Sequence, residues 1–128
     1  MKTRDVILSI KPKYWKMIKN GSKTVEWRRK WVKEGVKVNN IIVYCSAPVK
    51  RIVATLFVDY VVDNLKMLWT EYGKAGGVSK DEFDGYFDQQ SYGYAIIINR
   101  FIEHDTTPEK LWTWWKRPPQ NFMYVREA

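Results

Sequence analysis

One stretch decides the fold of this chain: Ile7-Leu-Ser-Ile-Lys-Pro-Lys-Tyr-Trp-Lys-Met-Ile-Lys-Asn-Gly-Ser-Lys-Thr-Val-Glu-Trp-Arg-Arg29. Its pattern predicts an apolar strand, a short helix and a second strand, in that order. The stretch also gathers positive charge and tryptophan around a single carboxylate, Glu26. Because cations attract phosphate and aromatic faces stack on bases, this composition suggests an organised site.

The helix is predicted over residues 12–20, between a strand at Asp5–Ile10 and a stop at Gly21. Proline suits the first helical position, and glycine commonly follows the last one. Apolar side chains at helical spacing should face the core, namely Tyr14, Trp15 and Ile18. The lysines of the opposite face should be exposed, namely Lys13, Lys16 and Lys19.

The second strand is predicted over Thr24–Lys30, where side chains alternate between two faces. Val25 and Trp27 share one face, which we assign to the core. Glu26 and Arg28 share the other face. At a rise of ~3.3 Å per residue, these two side chains lie within roughly 7 Å of each other.

The remaining elements follow from apolar runs and capping signals. Further strands are predicted at Asn40–Cys45, Arg51–Val62 (a central strand), Tyr92–Ile102 and Phe122–Arg126, with a polar connection at 31–39 and a flexible break at Gly76-Gly77. One helix is predicted from Asp63 or Asn64 to Gly73. A second is predicted over 80–88, where Ser79 and Glu82 form a capping box. A third is predicted to start at Thr107-Pro108 and to carry Leu111, Trp112 and Trp115.

This tally of five or six strands and three or four short helices predicts the α+β class. The strands do not alternate regularly with long helices, which argues against a doubly wound parallel sheet. A mixed, mostly antiparallel β-barrel with short helices at its mouth fits the order better. The length of 128 residues is typical of one domain, so we expect a single domain over 1–128.

The net charge of +8 is unevenly distributed along the chain. Residues 1–51 hold fourteen Lys and Arg against three acids, whereas residues 52–128 hold eight against eleven. This asymmetry favours a polyanionic partner, most plausibly nucleic acid. The alternative that stays open is a solvated basic surface without a partner.

Several classes of protein are excluded by composition. A single cysteine, Cys45, rules out an internal disulfide, and with one histidine no Cys/His metal site can be built. Cys45 lies in an apolar run and is expected to be a buried, inert thiol. No apolar run approaches the ~20 residues of a membrane span, and the start shows no signal-peptide pattern. We therefore expect a cytoplasmic protein without metal or cofactor.

The candidate chemistry centres on Glu26, which surrounding cations should keep ionised. It could act as a general base or accept a hydrogen bond from a base amino group. Lys23 could be a nucleophile or a phosphate contact, and Lys11 is expected nearby. The alternative is an internal ion pair that orders the barrel mouth, with Lys23 as an ordinary surface lysine.

The tryptophans and the helix predicted over 80–88 supply further candidates. Trp31 follows the strand and is the better candidate for an exposed stacking platform. At least two of the indoles near the C-terminus are assigned to the core, from the set Trp112, Trp114 and Trp115. Glu82 caps its own helix, and that helix could also bring Glu82 and Tyr86 over the cleft.

A Gly-x-Lys-x-x-Glu-x-Arg pattern runs from Gly21 to Arg28. Together with Ile7–Tyr14, this segment resembles the ASCH domain, which belongs to the PUA-like β-barrel superfamily. The similarity continues over nearly the whole chain, at Val43–Pro48, Ser79–Phe83, Tyr86-Phe87, Tyr92–Ile96 and Pro118–Phe122.

The resemblance implies a small barrel whose cleft, beside the first helix, binds RNA or a nucleotide and is lined by Lys23, Glu26 and Arg28. Some members are hydrolases that remove an acyl group from N4 of acetylated cytidine. They use a Lys, a Thr three residues on and a Glu on a later helix. Lys23 matches the Lys and Glu82 the Glu, whereas Glu26 stands at the Thr position. Other relatives have been proposed as ribonucleases.

Three functional hypotheses follow. The first is a domain that binds RNA or a modified nucleoside, acting in RNA metabolism or in the regulation of translation or transcription. Its binding residues are expected to be Lys11, Lys13, Lys16, Lys23, Glu26, Arg28, Trp31 and Tyr86. The second is a hydrolase of the same cleft, an N4-acetylcytidine amidohydrolase or a ribonuclease, with catalytic candidates Lys23, Glu26 and Glu82. The third is a protein-interaction module with a tryptophan contact patch.

Overall fold

The computed structural model describes residues 2–63, 65–87 and 93–126. The strands are β1 (Lys2–Ile10), β2 (Val25–Arg28), β3 (Val36–Cys45), β4 (Arg51–Val62), β5 (Tyr94–Thr106) and β6 (Phe122–Tyr124). The helices are α1 (Pro12–Lys19), α2 (Leu65–Tyr72), α3 (Lys80–Tyr86) and α4 (Pro108–Leu111), with a short 3-10 helix at Lys74–Gly76.

The strands form one mixed sheet in the order β2-β5-β4-β3-β1-β6, which curves into a half-barrel. Strands β1 and β3 pair in parallel, and the other neighbouring pairs are antiparallel. Strand β4 lies inside the sheet between β3 and β5, where its long apolar pattern predicted it. The predicted α+β class, with a mixed and mostly antiparallel sheet and short helices, is confirmed.

Apolar side chains form three clusters around this sheet. The barrel interior contains Leu8, Ile10, Ile18, Ile41, Val43, Ala54, Leu56 and Ile96. A second cluster packs β2 and β5 against α3 through Val25, Trp27, Phe83, Phe87 and Ala95. In a third, the half-buried indoles of Trp112, Trp114 and Trp115 pack on Ile7, Tyr44 and Ile52. Trp27 is therefore a core residue, as its strand phase predicted.

Helix α1 follows its predicted amphipathic pattern closely. Ile18 is buried, Tyr14 and Trp15 are half-buried against the barrel interior, and the lysines Lys13, Lys16 and Lys19 are exposed. Gly21 follows the helix with a φ of 87°, a conformation that glycine adopts without steric cost. Cys45 is buried in β3, and burial raises the pKa of its thiol, as expected of an inert core cysteine.

Three strands are longer than predicted. Strand β1 begins at Lys2 rather than at Asp5, and Lys2 pairs with Val36. Strand β3 begins at Val36, so part of the predicted polar connection 31–39 is a strand. Strand β5 extends past the predicted end at Ile102 to Thr106, which pairs with Ile52. In each of these places the strand pairs with a neighbouring strand, which an apolar pattern in the sequence does not report.

Other boundaries were also wrong. Strand β2 is shorter than the predicted Thr24–Lys30, and β6 ends at Tyr124. Helix α4 ends at Leu111, so Trp112 and Trp115 lie beyond it. The predicted Gly76-Gly77 break is instead the end of the 3-10 helix, with Gly76 buried.

Three predicted boundary residues, Asn64, Asp88 and Tyr92, lie outside the described residues. In the part of the chain that the structure describes, no helix has the length and apolar character needed to cross a membrane.

Candidate functional site

Three charged side chains of the opening stretch form one buried network. Lys23 Nζ lies 3.2 Å from Glu26 Oε1, and Arg28 Nη2 donates to Glu26 Oε2 at 2.8 Å. Each carboxylate oxygen of Glu26 is thus paired with a different cation. Lys23 and Glu26 are only 2% and 5% exposed, so the network lies inside the fold rather than on its surface.

The cations determine the charge of Glu26. Burial by itself raises the pKa of this carboxyl, but the charges of Arg28 and Lys23 and their hydrogen bonds lower it by more, so its pKa lies below the ordinary value. Glu26 is therefore ionised at neutral pH, as its cationic surroundings predicted.

For Lys23, burial has a larger effect on the pKa than the neighbouring opposite charge. Burial lowers the pKa of its ammonium group, and the neighbouring Glu26 offsets only part of that effect. Its Nζ also donates to the Gly76 carbonyl oxygen and lies 5.3 Å from the centre of the Tyr14 ring. A lysine with a lowered pKa fits a nucleophile or proton carrier better than a solvated surface lysine does.

Backbone contacts hold this network in place. The Lys23 N–H donates to the Met17 carbonyl oxygen at 3.1 Å, which joins the residue to α1. The Thr24 N–H donates to the Ala75 carbonyl oxygen at 2.7 Å, which joins β2 to the 3-10 helix. Glycine is required at Gly76, because an added Cβ would lie 1.9 Å from Trp27 Nε1.

A small cavity, which we call the inner pocket, opens between α1, β2 and α3. It has a volume of about 290 Å³ and is lined by Tyr14, Lys23, Glu26, Trp27, Val78, Glu82, Phe83 and Tyr86. All three residues predicted to be catalytic from the sequence thus meet in one cavity, although Glu82 lies far from the other two in the chain.

A larger depression, the outer cleft, adjoins the inner pocket and shares four of its lining residues, Tyr14, Glu26, Trp27 and Tyr86. Its volume is about 840 Å³. The cations on its wall are Lys11, Arg28, Arg29 and Lys30, and the segment Pro118–Asn121 forms part of its boundary. The site therefore has a cationic open part and a smaller, aromatic inner part.

Helix α3 forms the wall of the inner pocket opposite the buried network. Its predicted capping box is present, since Ser79 Oγ accepts from the Glu82 N–H and Glu82 Oε1 accepts from the Ser79 N–H, both at 3.1 Å. Glu82 also lies 3.9 Å from Lys13 Nζ. Backbone and side-chain hydrogen bonds from Ser79 lower the pKa of Glu82, whose carboxylate is about half exposed.

Tyr86 connects the end of α3 to the end of β2. Its hydroxyl oxygen accepts from the Arg29 N–H at 3.2 Å, and the Arg29 guanidinium lies 5.0 Å from the centre of its ring. Because Tyr86 lines both the inner pocket and the outer cleft, its ring stands at the boundary between them.

Three predicted binding residues line neither cavity. Lys13 contacts the site through Glu82 and through the Tyr14 ring, whose centre lies 5.5 Å from Lys13 Nζ. Lys16 lies on the exposed face of α1. Trp31 is half-buried, with its ring centre 5.2 Å from that of Phe122, so it is packed rather than presented as a free platform. The physical reason is that Phe122 of β6, which pairs with β1, packs against this indole.

Other residues of the site were missed by sequence reasoning. Tyr14 was assigned to the core from its helical spacing, yet its ring lines both cavities. Ser9 and Asn121 also line the outer cleft. Both accept hydrogen bonds from Arg28, and the Ser9 N–H donates to the Asn121 backbone carbonyl oxygen. The only signal for Asn121 was its place in the Pro118–Phe122 segment.

Comparison with known proteins supports the family resemblance seen in the sequence. No protein-family model matches the chain. It is similar to the ASCH domain-containing ribonuclease of Zymomonas mobilis, at 25% identity over 97% of this chain and 86% of that protein. It is also similar to the crystal structure of ASCH from Zymomonas mobilis, with a TM-score of 0.83 and 22% identity over 97% of this chain and 89% of that one. The similarity to ASCH-domain proteins that the sequence suggested is therefore confirmed over nearly the whole chain.

A weaker similarity links this chain to a ribosomal protein. The large ribosomal subunit protein uL22 of Ureaplasma parvum is 22% identical over 91 residues, which are 70% of this chain and 29% of that protein. The match therefore concerns a minor part of the ribosomal protein.

Proposed function

We propose that this ASCH domain binds RNA, or a nucleotide derived from it, across the outer cleft and the inner pocket. The observation that carries the proposal is the buried Lys23–Glu26–Arg28 network at the junction of the two cavities. Two cations and one carboxylate leave a net positive charge there. Burying such a charge is costly, and an anionic ligand would offset part of that cost.

The outer cleft suits a phosphate backbone. Lys11, Arg29 and Lys30 are exposed on its wall, and Arg28 lies at its floor. Arginine and lysine side chains are among the groups that contact phosphate in nucleic-acid complexes. These residues also belong to the half of the chain that carries the excess of positive charge.

The inner pocket suits a base. The Tyr14 and Tyr86 rings provide faces on which a base can stack, and the carboxylates Glu26 and Glu82 can accept from an exocyclic amino group. The ribonuclease name of the Zymomonas mobilis relative supports RNA as the ligand class. We infer a role in RNA metabolism or in the regulation of translation or transcription.

A titration of fluorescently labelled, short single-stranded RNA at low and at higher salt tests the proposal. We expect binding at low salt that weakens as salt rises, with a log–log slope of about −0.7 per neutralised phosphate. The Lys30→Ala variant should lower the affinity and reduce that slope. The matched control is Lys110→Ala, an exposed lysine on α4 that lines neither cavity. Absence of binding by the unmodified protein at low salt would contradict the proposal.

A second function, hydrolysis in the same cavity, is favoured by one specific observation. Lys23, with its lowered pKa, shares the inner pocket with the carboxylates of Glu26 and Glu82. Lys23 would serve as nucleophile or proton carrier and one carboxylate as general base. The substrate would be an N4-acylated cytidine or an RNA phosphodiester.

Incubation with N4-acetylcytidine and, separately, with RNA tests this second function. Turnover by the unmodified protein that is lost in both Lys23→Ala and Glu26→Ala would support it. The matched control, Glu103→Ala, removes an exposed carboxylate that pairs with Lys19 on the surface. If both site variants keep full activity, Lys23 and Glu26 have no part in the reaction.

A further inference from the structure

The two ends of the half-barrel meet at the candidate site. Strand β2 is one edge of the sheet and β6 is the other, next to β1. Within the described residues, no backbone ladder joins β2 to β6. We call the gap between these two ends the seam. It must be closed by side chains, and the residue of β2 that reaches across it is Arg28.

Arg28 makes three hydrogen bonds of equal length, two of which cross the seam. Its Nη2 donates at 2.8 Å both to Glu26 Oε2 and to the Ser9 carbonyl oxygen on β1, and its Nη1 donates at 2.8 Å to Asn121 Oδ1. The guanidinium is therefore held by its own strand, by β1 and by the segment that precedes β6. Its orientation depends on all three partners.

Asn121 is itself fixed on several sides. Its side-chain Nδ2 donates to the Lys30 backbone carbonyl oxygen at 3.1 Å. Its own backbone carbonyl oxygen accepts from the Ser9 N–H, also at 3.1 Å. Ser9 Oγ in turn donates to the Pro119 carbonyl oxygen at 2.6 Å. These partners define the amide orientation, with oxygen towards the Arg28 donor and nitrogen towards the Lys30 acceptor.

The chemistry of this position requires an amide. A carboxylate offers no donor to the Lys30 carbonyl oxygen, and alanine offers neither a donor nor an acceptor. Arg28 Nε is buried and already lacks a hydrogen-bond partner. Loss of the Asn121 amide would leave a second nitrogen of the same guanidinium, Nη1, without its partner. The guanidinium would then be free to turn away from Glu26.

We propose that Asn121 is a positioning residue for this site: across the seam it fixes the Arg28 guanidinium on Glu26 and thereby sets the geometry of the charged network. Its importance for ligand binding rests on the proposed function, whereas its effect on Glu26 does not. The Pro118–Asn121 segment therefore has a role beyond forming a wall of the outer cleft, since it carries the partner of Arg28.

The test is a pH titration of the Glu26 side-chain carboxyl, followed by carbon NMR in the unmodified protein and in Asn121→Ala. Arg28 is one of the cations that lower the pKa of Glu26. Glu26 should therefore titrate at a higher pH in the variant. RNA affinity should fall about tenfold, which corresponds to about 1.4 kcal/mol. The matched control is Asn99→Ala, an exposed asparagine on β5 outside both cavities, which should change neither quantity.

A folded Asn121→Ala variant in which Glu26 titrates as in the unmodified protein would overturn the proposal, even if its melting temperature fell. If Asn121→Ala does not fold, Asn121→Ser takes its place. Serine keeps the backbone bond to Ser9, but its side chain is too short to span Arg28 and Lys30. If the unmodified protein binds no RNA, the proposed function fails, while the titration of Glu26 still decides the role of Asn121.

Discussion

Lys23 Nζ and Glu26 Oε1 lie 3.2 Å apart, with the two side chains only 1% and 7% exposed. An ion pair so deeply buried is costly to desolvate, and it often contributes little to stability compared with apolar residues of similar size. Its presence at the junction of two cavities is therefore better explained by a function of the site than by stability. Removing one partner nevertheless has a large cost, because it leaves the other charge buried and uncompensated.

The first prediction concerns the stability contribution of Glu26. The Glu26→Gln variant keeps the shape of the side chain but removes the charge shared by Lys23 and Arg28. We expect the free energy of unfolding to fall by about 3–5 kcal/mol, as for other broken buried pairs. Urea unfolding measures the change. The control is Glu103→Gln, which breaks the exposed pair with Lys19 and should leave stability nearly unchanged. Equal effects of the two substitutions would show that burial of the network is not important.

The second prediction concerns acid unfolding. The pKa of Glu26 in the folded state lies below the ordinary value of 4.5. The ionised carboxylate therefore contributes stability that is fully present above about pH 4.5 and is lost as the pH falls through the folded-state pKa. Between neutral pH and about pH 3, the unmodified protein should lose more unfolding free energy than Glu26→Gln does. Parallel stability curves for the two proteins would refute this assignment.

The third prediction compares two glycines. In Gly76→Ala the new methyl group would collide with the buried indole of Trp27, so we expect a loss of roughly 1–3 kcal/mol, typical of overpacking. Gly85 lies in α3 with open space around it, and Gly85→Ala should stabilise the protein by about 0.5–1 kcal/mol. Thermal unfolding of both variants checks the opposite signs. A tolerated Gly76→Ala would mean that the 3-10 helix can move away from β2.

The fourth prediction concerns the aromatic wall. If the Tyr86 ring stacks on a base, Tyr86→Ala should weaken RNA binding by about tenfold, since one stacked base is worth about 1–3 kcal/mol. Tyr86→Phe keeps the ring and loses only the hydroxyl that accepts from the Arg29 N–H, so it should retain most of the affinity. The remote control is Tyr60→Ala, on β4. Equal losses in Tyr86→Ala and Tyr86→Phe would assign the effect to the hydroxyl rather than to stacking.

Local signals in the sequence were sufficient for much of the fold. The Pro12 start and Gly21 stop of α1, the capping box of α3 and the full extent of β4 depend on residues close together in the chain. The boundaries of β3 and β5 were missed because they depend on pairing with strands that are distant in sequence.

The sequence by itself determined that Glu26 and Arg28 share a strand face and that cations surround Glu26, because alternation along a strand is a local property. Only the tertiary structure decided which distant groups join them. The curvature of the sheet brings its two ends together, so Arg28 meets Ser9 and Asn121 across the seam. The packing of α3 on Trp27 brings Glu82 to the same pocket as Lys23. Such contacts depend on how the whole barrel closes, which no spacing within the opening stretch encodes.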